Sequence, residues 1–271
     1  MNATASSNEA VSTRIFRALM AVFCIAVLLF LITPVIAVIP LSFNAEPYLT
    51  YPLAGVSLRW YATVFTSDNW LHALKSSLIV ATATTLIATP LGTFAAFGLM
   101  QLGSRTRRIV TGLLLLPLAV PAVVVALALY ISFSRVGLAN SYAGLIIAHT
   151  ALATPFVVVT VSATLASFDY TLLRAAASLG SGPIRTFRRV VLPLIRPGVI
   201  SGGLFAFITS WDDVIIALFI AGPQQRTLPR QMFSGLREQL DPSIMVVATL
   251  MIAVSVVLAL LVFVAKRKSP A

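Results

Sequence analysis

The chain has 271 residues, 59% apolar and only 10% charged, with a mean hydropathy of +0.98. A soluble domain carries about 25% charged residues, so this composition excludes a water-soluble fold and specifies an all-α polytopic membrane protein. The net charge of +11 comes from Lys and Arg at the ends of apolar runs, which is the signature of orientation in a bilayer rather than of a nucleic-acid partner.

In chain order, Ala18 to Ala45 is free of charge over 28 residues. This run is longer than the apolar core of a signal peptide and is read as a retained helix. The uncharged stretches between Lys75 and Arg105, Arg108 and Arg135, Arg135 and Asp169, and Asp241 and Lys266 hold 29, 26, 33 and 24 residues. Each exceeds the roughly 20 residues that cross a hydrocarbon core. Pro197 to Gly222 is equally apolar except for Asp212 and Asp213. Six spans result, at roughly 17–42, 74–102, 109–133, 142–166, 197–221 and 243–265. Residues 1–16 and 267–271 are the tails of a six-helix domain that covers 17–266.

The pairs Thr33-Pro34, Thr89-Pro90 and Thr154-Pro155 fall inside spans and are expected to bend them, as static kinks or as hinges. Trp60, Tyr61 and Trp70 lie in the loop 43–73 and suit a membrane interface. Cys24 is the lone cysteine, so the chain can form neither an internal disulfide nor a Cys metal site. With both termini cytoplasmic, 13 of the 19 basic residues lie inside, and the positive-inside rule favours that orientation.

The longest inner segment is 169–197, DYTLLRAAASLGSGPIRTFRRVVLPLIRP. Asp169 is placed to cap a helix over 172–179, Gly180 to stop it, and Pro183 to begin a second one. Ile184, Phe187 and Val191 recur at helical spacing while Arg185, Arg188 and Arg189 face elsewhere. Pro193 and Pro197 are expected to close the segment. By periodicity the loop either docks a protein or lies on the inner leaflet.

Ala175, Ala176, Gly180, Val190, Leu192 and Pro193 stand at the spacing of the EAA loop, and this segment resembles that of bacterial ABC importer permeases. Arg174 occupies the position where the family usually has Glu. Ser210-Trp211-Asp212-Asp213, Gly222-Pro223, Thr227-Leu228-Pro229 and Ser57-Leu58-Arg59-Trp60-Tyr61 resemble the spermidine/putrescine-type branch, and the core of the likeness runs from about 72 to 262. The resemblance implies a type I importer permease in a bacterial inner membrane. It also implies that Arg174, Ala175, Ala176, Ala177, Gly180, Pro183, Phe187, Leu192 and Pro193 couple the chain to two ATPase subunits. The other partners implied are a second permease that is a different chain, an extracytoplasmic solute-binding protein and membrane lipid.

The residues agree with that division of labour. A P-loop needs GxxxxGK[ST], and the only lysines are Lys75, Lys266 and Lys268, none after a glycine. ATP and Mg are therefore expected in partner chains, with no cofactor or metal bound here. Asp212 and Asp213, the only acids within a span, are expected near mid-membrane, about 14 Å from the Gly222 end. Burying them ionised is costly, so they are expected to face a polar cavity, pair with a cation or be protonated, and one could line a path while the other bonds a neighbouring helix. With Trp211 they are the substrate-path candidates. The solutes weighed are a polyamine first, then amino-acid derivatives, opines, phosphonates, thiamine and iron. An intramembrane enzyme using His149 with Ser132, Ser141 or Ser162, or a transporter working alone, would contend as well. A lone membrane His more often bonds two helices.

Overall fold

The structure, a computed structural model, describes residues 3–238 and 241–267. It is helical throughout apart from loops and one isolated bridge between Asn44 and Val56. Among the described residues five helical segments are long and apolar enough to cross a membrane, and the number is six if the bent pair Ser104–Ala119 and Ala122–Arg135 is one span.

Helix α1 runs Ala3–Leu41, so the residues of the expected N-terminal tail from Ala3 onward continue the first span as helix. It passes Pro34 unbroken, and Thr33 Oγ1 donates to the Leu29 carbonyl (2.6 Å). The helix α2, Arg59–Thr66, comes after the loop. Trp60 donates Nε1 to the Asn44 carbonyl (2.9 Å), Tyr61 pairs its hydroxyl with Ser42 (2.9 Å), and Arg59 lies over the Trp60 ring at 4.3 Å. These two aromatic rings thus fasten the loop to the end of α1. Trp70, expected at the interface, is buried instead.

The elements α3 Asp68–Met100, α4 Ser104–Ala119, α5 Ala122–Arg135 and α6 Tyr142–Leu165 come next. The third span, expected as one helix over 109–133, is broken: α4 and α5 meet at 97°. Pro117 and Pro121 stand one turn apart and each deletes a ladder hydrogen bond. Val120, pressed by the ring of Pro121, is extended (φ −86°, ψ 136°). Single prolines do not have this effect, since α3 and α6 run through Pro90 and Pro155.

The inner segment forms α7 Thr171–Ser178 and α8 Pro183–Thr186, then a π-turn at Phe187–Val191 that leads into α9 Leu192–Trp211. Pro193 and Pro197 do not end the segment as expected. The wide turn bonds Leu192 N–H to the Phe187 carbonyl, five residues back, so the ladder has already changed register where Pro193 lacks its donor. The fifth span also breaks. The helix α9 stops at Trp211, and α10 Ile215–Ile220 resumes after a short non-helical stretch that contains both carboxylates. The remaining elements are a 3-10 turn at Pro223–Gln225, α11 Leu228–Glu238 and α12 Ser243–Arg267. Of the expected C-terminal tail, residues 268–271 lie outside the described residues.

The contacts divide the chain into two units. One comprises α1, the loop to Thr63 and α12 up to Thr249. The other holds the rest, and its core is the bundle α3–α6–α9. Small residues allow that bundle to close: Val157 of α6 sits between Gly92 of α3 and Gly202 of α9. A Cβ on Gly92 would stand 2.5 Å from the Val157 Cβ, and one on Gly202 would stand 3.1 Å from its Cγ1. Without a hydrophobic drive between helices in lipid, such close backbone approach is what holds them.

Candidate functional site

Two places bring the expected residues together. The first is the loop 169–197. Asp169 accepts the Thr171 hydroxyl (2.7 Å) and the Thr171 amide (2.9 Å), closing the first turn of α7. The Thr171 hydroxyl, then its amide, holds the Asp169 carboxyl below the usual carboxylate range. A lowered value means that this closure is present at neutral pH and is lost as pH falls through the depressed range. At the other end Gly180 has φ +72°. Ser181 N–H bonds the Ala176 carbonyl (3.0 Å) and Gly180 N–H bonds the Ala177 carbonyl (2.9 Å), the paired bonds of a Schellman cap.

This cap turns the chain back so that Ala176 is buried while Arg174, Ala175, Ala177 and Gly180 stay exposed. Leu179 and Ile184 are 87% and 75% exposed, so Ile184 does not share the buried face of Phe187 and Val191. Arg185, Arg188, Arg189, Pro183 and Pro193 are exposed beside them. Phe187 points the other way. Its ring stacks on Phe94 (5.3 Å) and meets Phe97 edge-on (5.6 Å), both on α3. Leu192 packs against the same core, in which Val191 and Ile195 are fully buried. The outer face of the loop is therefore an apolar and basic surface, and its inner face is locked into the three-helix bundle.

The second place is the break after Trp211. His149 stands two helical turns into α6 from Tyr142, about 10 Å along the axis. Its Nδ1 lies 2.7 Å from Ser210 Oγ and its Nε2 lies 3.5 Å from Asp213 Oδ2. Asp213 Oδ2 also accepts the Ala217 amide of α10 (3.2 Å), so one carboxylate oxygen restarts the helix that the break interrupted. Asp212 is exposed. Trp211 is 1% exposed and stacked on Phe207 at 5.7 Å, so within this chain it packs as a core residue.

His149 Nε2, Trp211 Nε1, Thr84 Oγ1 and Thr150 Oγ1 are buried without a hydrogen-bond partner. An unmet buried polar group costs about 1–3 kcal/mol, so packing alone would not select any of these positions. The pairs Ser76–Tyr142 (2.8 Å) and Gly92–Val157 set the register of α3 on α6 and bring Thr84 level with His149. The serine partner of His149 is Ser210, not Ser132, Ser141 or Ser162. Among the described residues no three His, Cys, Asp or Glu side chains gather as a metal site. Sequence reading missed His149 as a candidate for the substrate path. The available signal was its position as the one ionisable side chain in the stretch between Arg135 and Asp169 apart from Tyr142.

Residues 88–268 match the family model of the binding-protein-dependent transport system inner membrane component. Over 248 residues the chain is 32% identical to the spermidine/putrescine transport system permease protein PotC of Haemophilus influenzae, across 91% of this chain and 96% of that protein. It is 35% identical over 230 residues to the putrescine transport system permease protein PotI of Escherichia coli K12, with 82% of each covered. The crystal structure of a bacterial ABC transporter involved in the import of the acidic polysaccharide alginate matches 97% of this chain and 99% of its own, with a TM-score of 0.73 at 17% identity. That likeness shows the fold. The matched spans and loop make this chain a multi-pass inner-membrane permease subunit of an ABC importer, not an enzyme, and it belongs to the family of binding-protein-dependent transport system inner membrane components.

Proposed function

We propose that the chain is one of two permease subunits of a polyamine importer, with both termini in the cytoplasm. The likeness to PotC over nearly the whole of both chains carries this reading. It is supported by an exposed carboxylate, Asp212, at a helix break inside a span. An ionised acid is tolerated there when it faces a polar cavity or a cation, and a polyamine supplies ammonium groups. Asp212 and Asp213 are the substrate-path residues of this half.

The second permease, a different chain, supplies the other half of the path, and an extracytoplasmic binding protein delivers the solute. Two ABC ATPases bind ATP and Mg and seat against Leu179, Ile184 and the surrounding arginines. With Arg174 where the family usually has Glu, the facing ATPase surface is acidic. Closure of the ATPases moves the loop, and Phe187 passes that motion to α3.

The test is ATP hydrolysis by the co-purified complex in nanodiscs, with binding protein loaded with spermidine or putrescine. Stimulation by these and not by the empty binding protein is expected. Asp212→Asn is expected to cut spermidine uptake about tenfold or more while stimulation persists, since a lost charge-assisted contact is worth about 1.5–3 kcal/mol. Stimulation only by a neutral or anionic solute overturns the polyamine reading.

A further inference from the structure

The imidazole of His149 is 2% exposed, so its two neighbours decide its tautomer. A carboxylate can only accept a hydrogen bond, whereas the Ser210 hydroxyl can donate one. The arrangement that suits both has Ser210 O–H donating to Nδ1 at 2.7 Å and the ring proton on Nε2, facing Asp213 Oδ2 at 3.5 Å. The opposite tautomer would set a lone pair against the carboxylate. The separation from Asp213 is a few tenths of an ångström beyond hydrogen-bond range, and Nε2 has no other partner. Residues 212–214 carry no helical structure, and a shift of a few tenths of an ångström would close that gap.

We infer that His149 is the positioning residue of the substrate path: through Nε2–H it holds Oδ2 of Asp213 in place and leaves Oδ1 as the oxygen that meets the solute cation. This rests on the reading of Asp212 and Asp213 as path residues. Oδ2 is already engaged by the Ala217 amide at 3.2 Å. A second donor on the same oxygen fixes the carboxylate plane and ties α6 to the break between α9 and α10. Ser210 acts one step back, by orienting the ring.

The test uses two amide replacements that occupy different parts of the ring. In His149→Gln the side-chain amide reaches the place of Nε2 and presents an N–H to Asp213. In His149→Asn it reaches only the place of Nδ1. The complete importer is reconstituted in proteoliposomes with spermidine-loaded binding protein, and uptake per ATP hydrolysed is measured beside the melting temperature of each variant. The Gln variant is expected within about threefold of wild type. The Asn variant is expected to lose about tenfold or more, the worth of one hydrogen bond to a charged group, at an unchanged melting temperature. Equal behaviour of the two variants, or loss confined to the Gln variant, overturns the positioning role. Asp213→Asn separates the role of His149 from the path itself. Unchanged uptake in that variant removes the path reading, whereas lost uptake there beside a wild-type His149→Asn removes only the role of His149.

Discussion

Replacing Gly92 by leucine is expected to abolish assembly of the three-helix core, seen as loss of the monodisperse peak when the complex is extracted and run on size-exclusion chromatography. Even the first added carbon would stand 2.5 Å from the Val157 Cβ and 3.1 Å from the Thr154 carbonyl oxygen. Neither obstacle is the far end of a flexible side chain, so no rotamer change relieves the clash and α3 must move away from α6. Overpacking a tight core typically costs about 1–3 kcal/mol. Here the cost is higher, because the displaced helix also carries Phe94 and Phe97 under Phe187. Trimming the opposing knob tests the cause: Val157→Gly in the Gly92→Leu background is expected to recover part of the folded yield. A Gly92→Leu protein that elutes and melts like wild type would refute this packing.

Gly180→Pro is expected to leave the permease folded and inserted but to abolish ATP-driven uptake. The residue has φ +72° and proline is held near −65°, so the Schellman turn cannot form. Proline also removes the N–H that bonds the Ala177 carbonyl. The exposed Leu179 and Ile184 would then be presented in a different arrangement, while the core beneath Phe187, Val191 and Ile195 stays intact. Ala176→Trp attacks the same element from below, because Ala176 is buried and a large ring there lifts α7. Both variants should keep near-wild-type melting temperatures and lose co-purification with the ATPases, read by gel densitometry. Wild-type uptake in both would mean that the loop does not carry the coupling.

Much of this molecule was legible in composition and spacing. Charge-free runs above the length of a membrane span are set by the solvent properties of lipid, so four spans stand close to where hydropathy puts them, while the fifth runs Pro183–Trp211 instead of 197–221. Gly180 and Pro183 announce a turn and a helix start through their own backbone limits, and Asp169 announces a cap. The breaks were less legible, because they depend on neighbours rather than on single residues. Pro34, Pro90 and Pro155 leave their helices whole, whereas Pro117 and Pro121 together bend one by 97°, and a π-turn carries the chain past Pro193.

The pairing of distant side chains lay beyond the sequence altogether. Phe187 has helical spacing with Ile184, yet one faces the core and the other is 75% exposed. The reason is that α8 is too short to hold a single amphipathic face, and the π-turn rotates the residues after it. His149 and Asp213 stand in different spans, and no local rule relates residues that far apart. Small residues at 198, 202, 206 and 210 let α9 lie close against α6 and bring Ser210 and the break to the imidazole. Composition and periodicity therefore determine that the chain spans a membrane and carries a capped inner loop, because those are properties of single segments in their solvent. Which carboxylate is exposed, and which lies beside a buried ring, was decided only when three helices packed, because that geometry comes from their shared register.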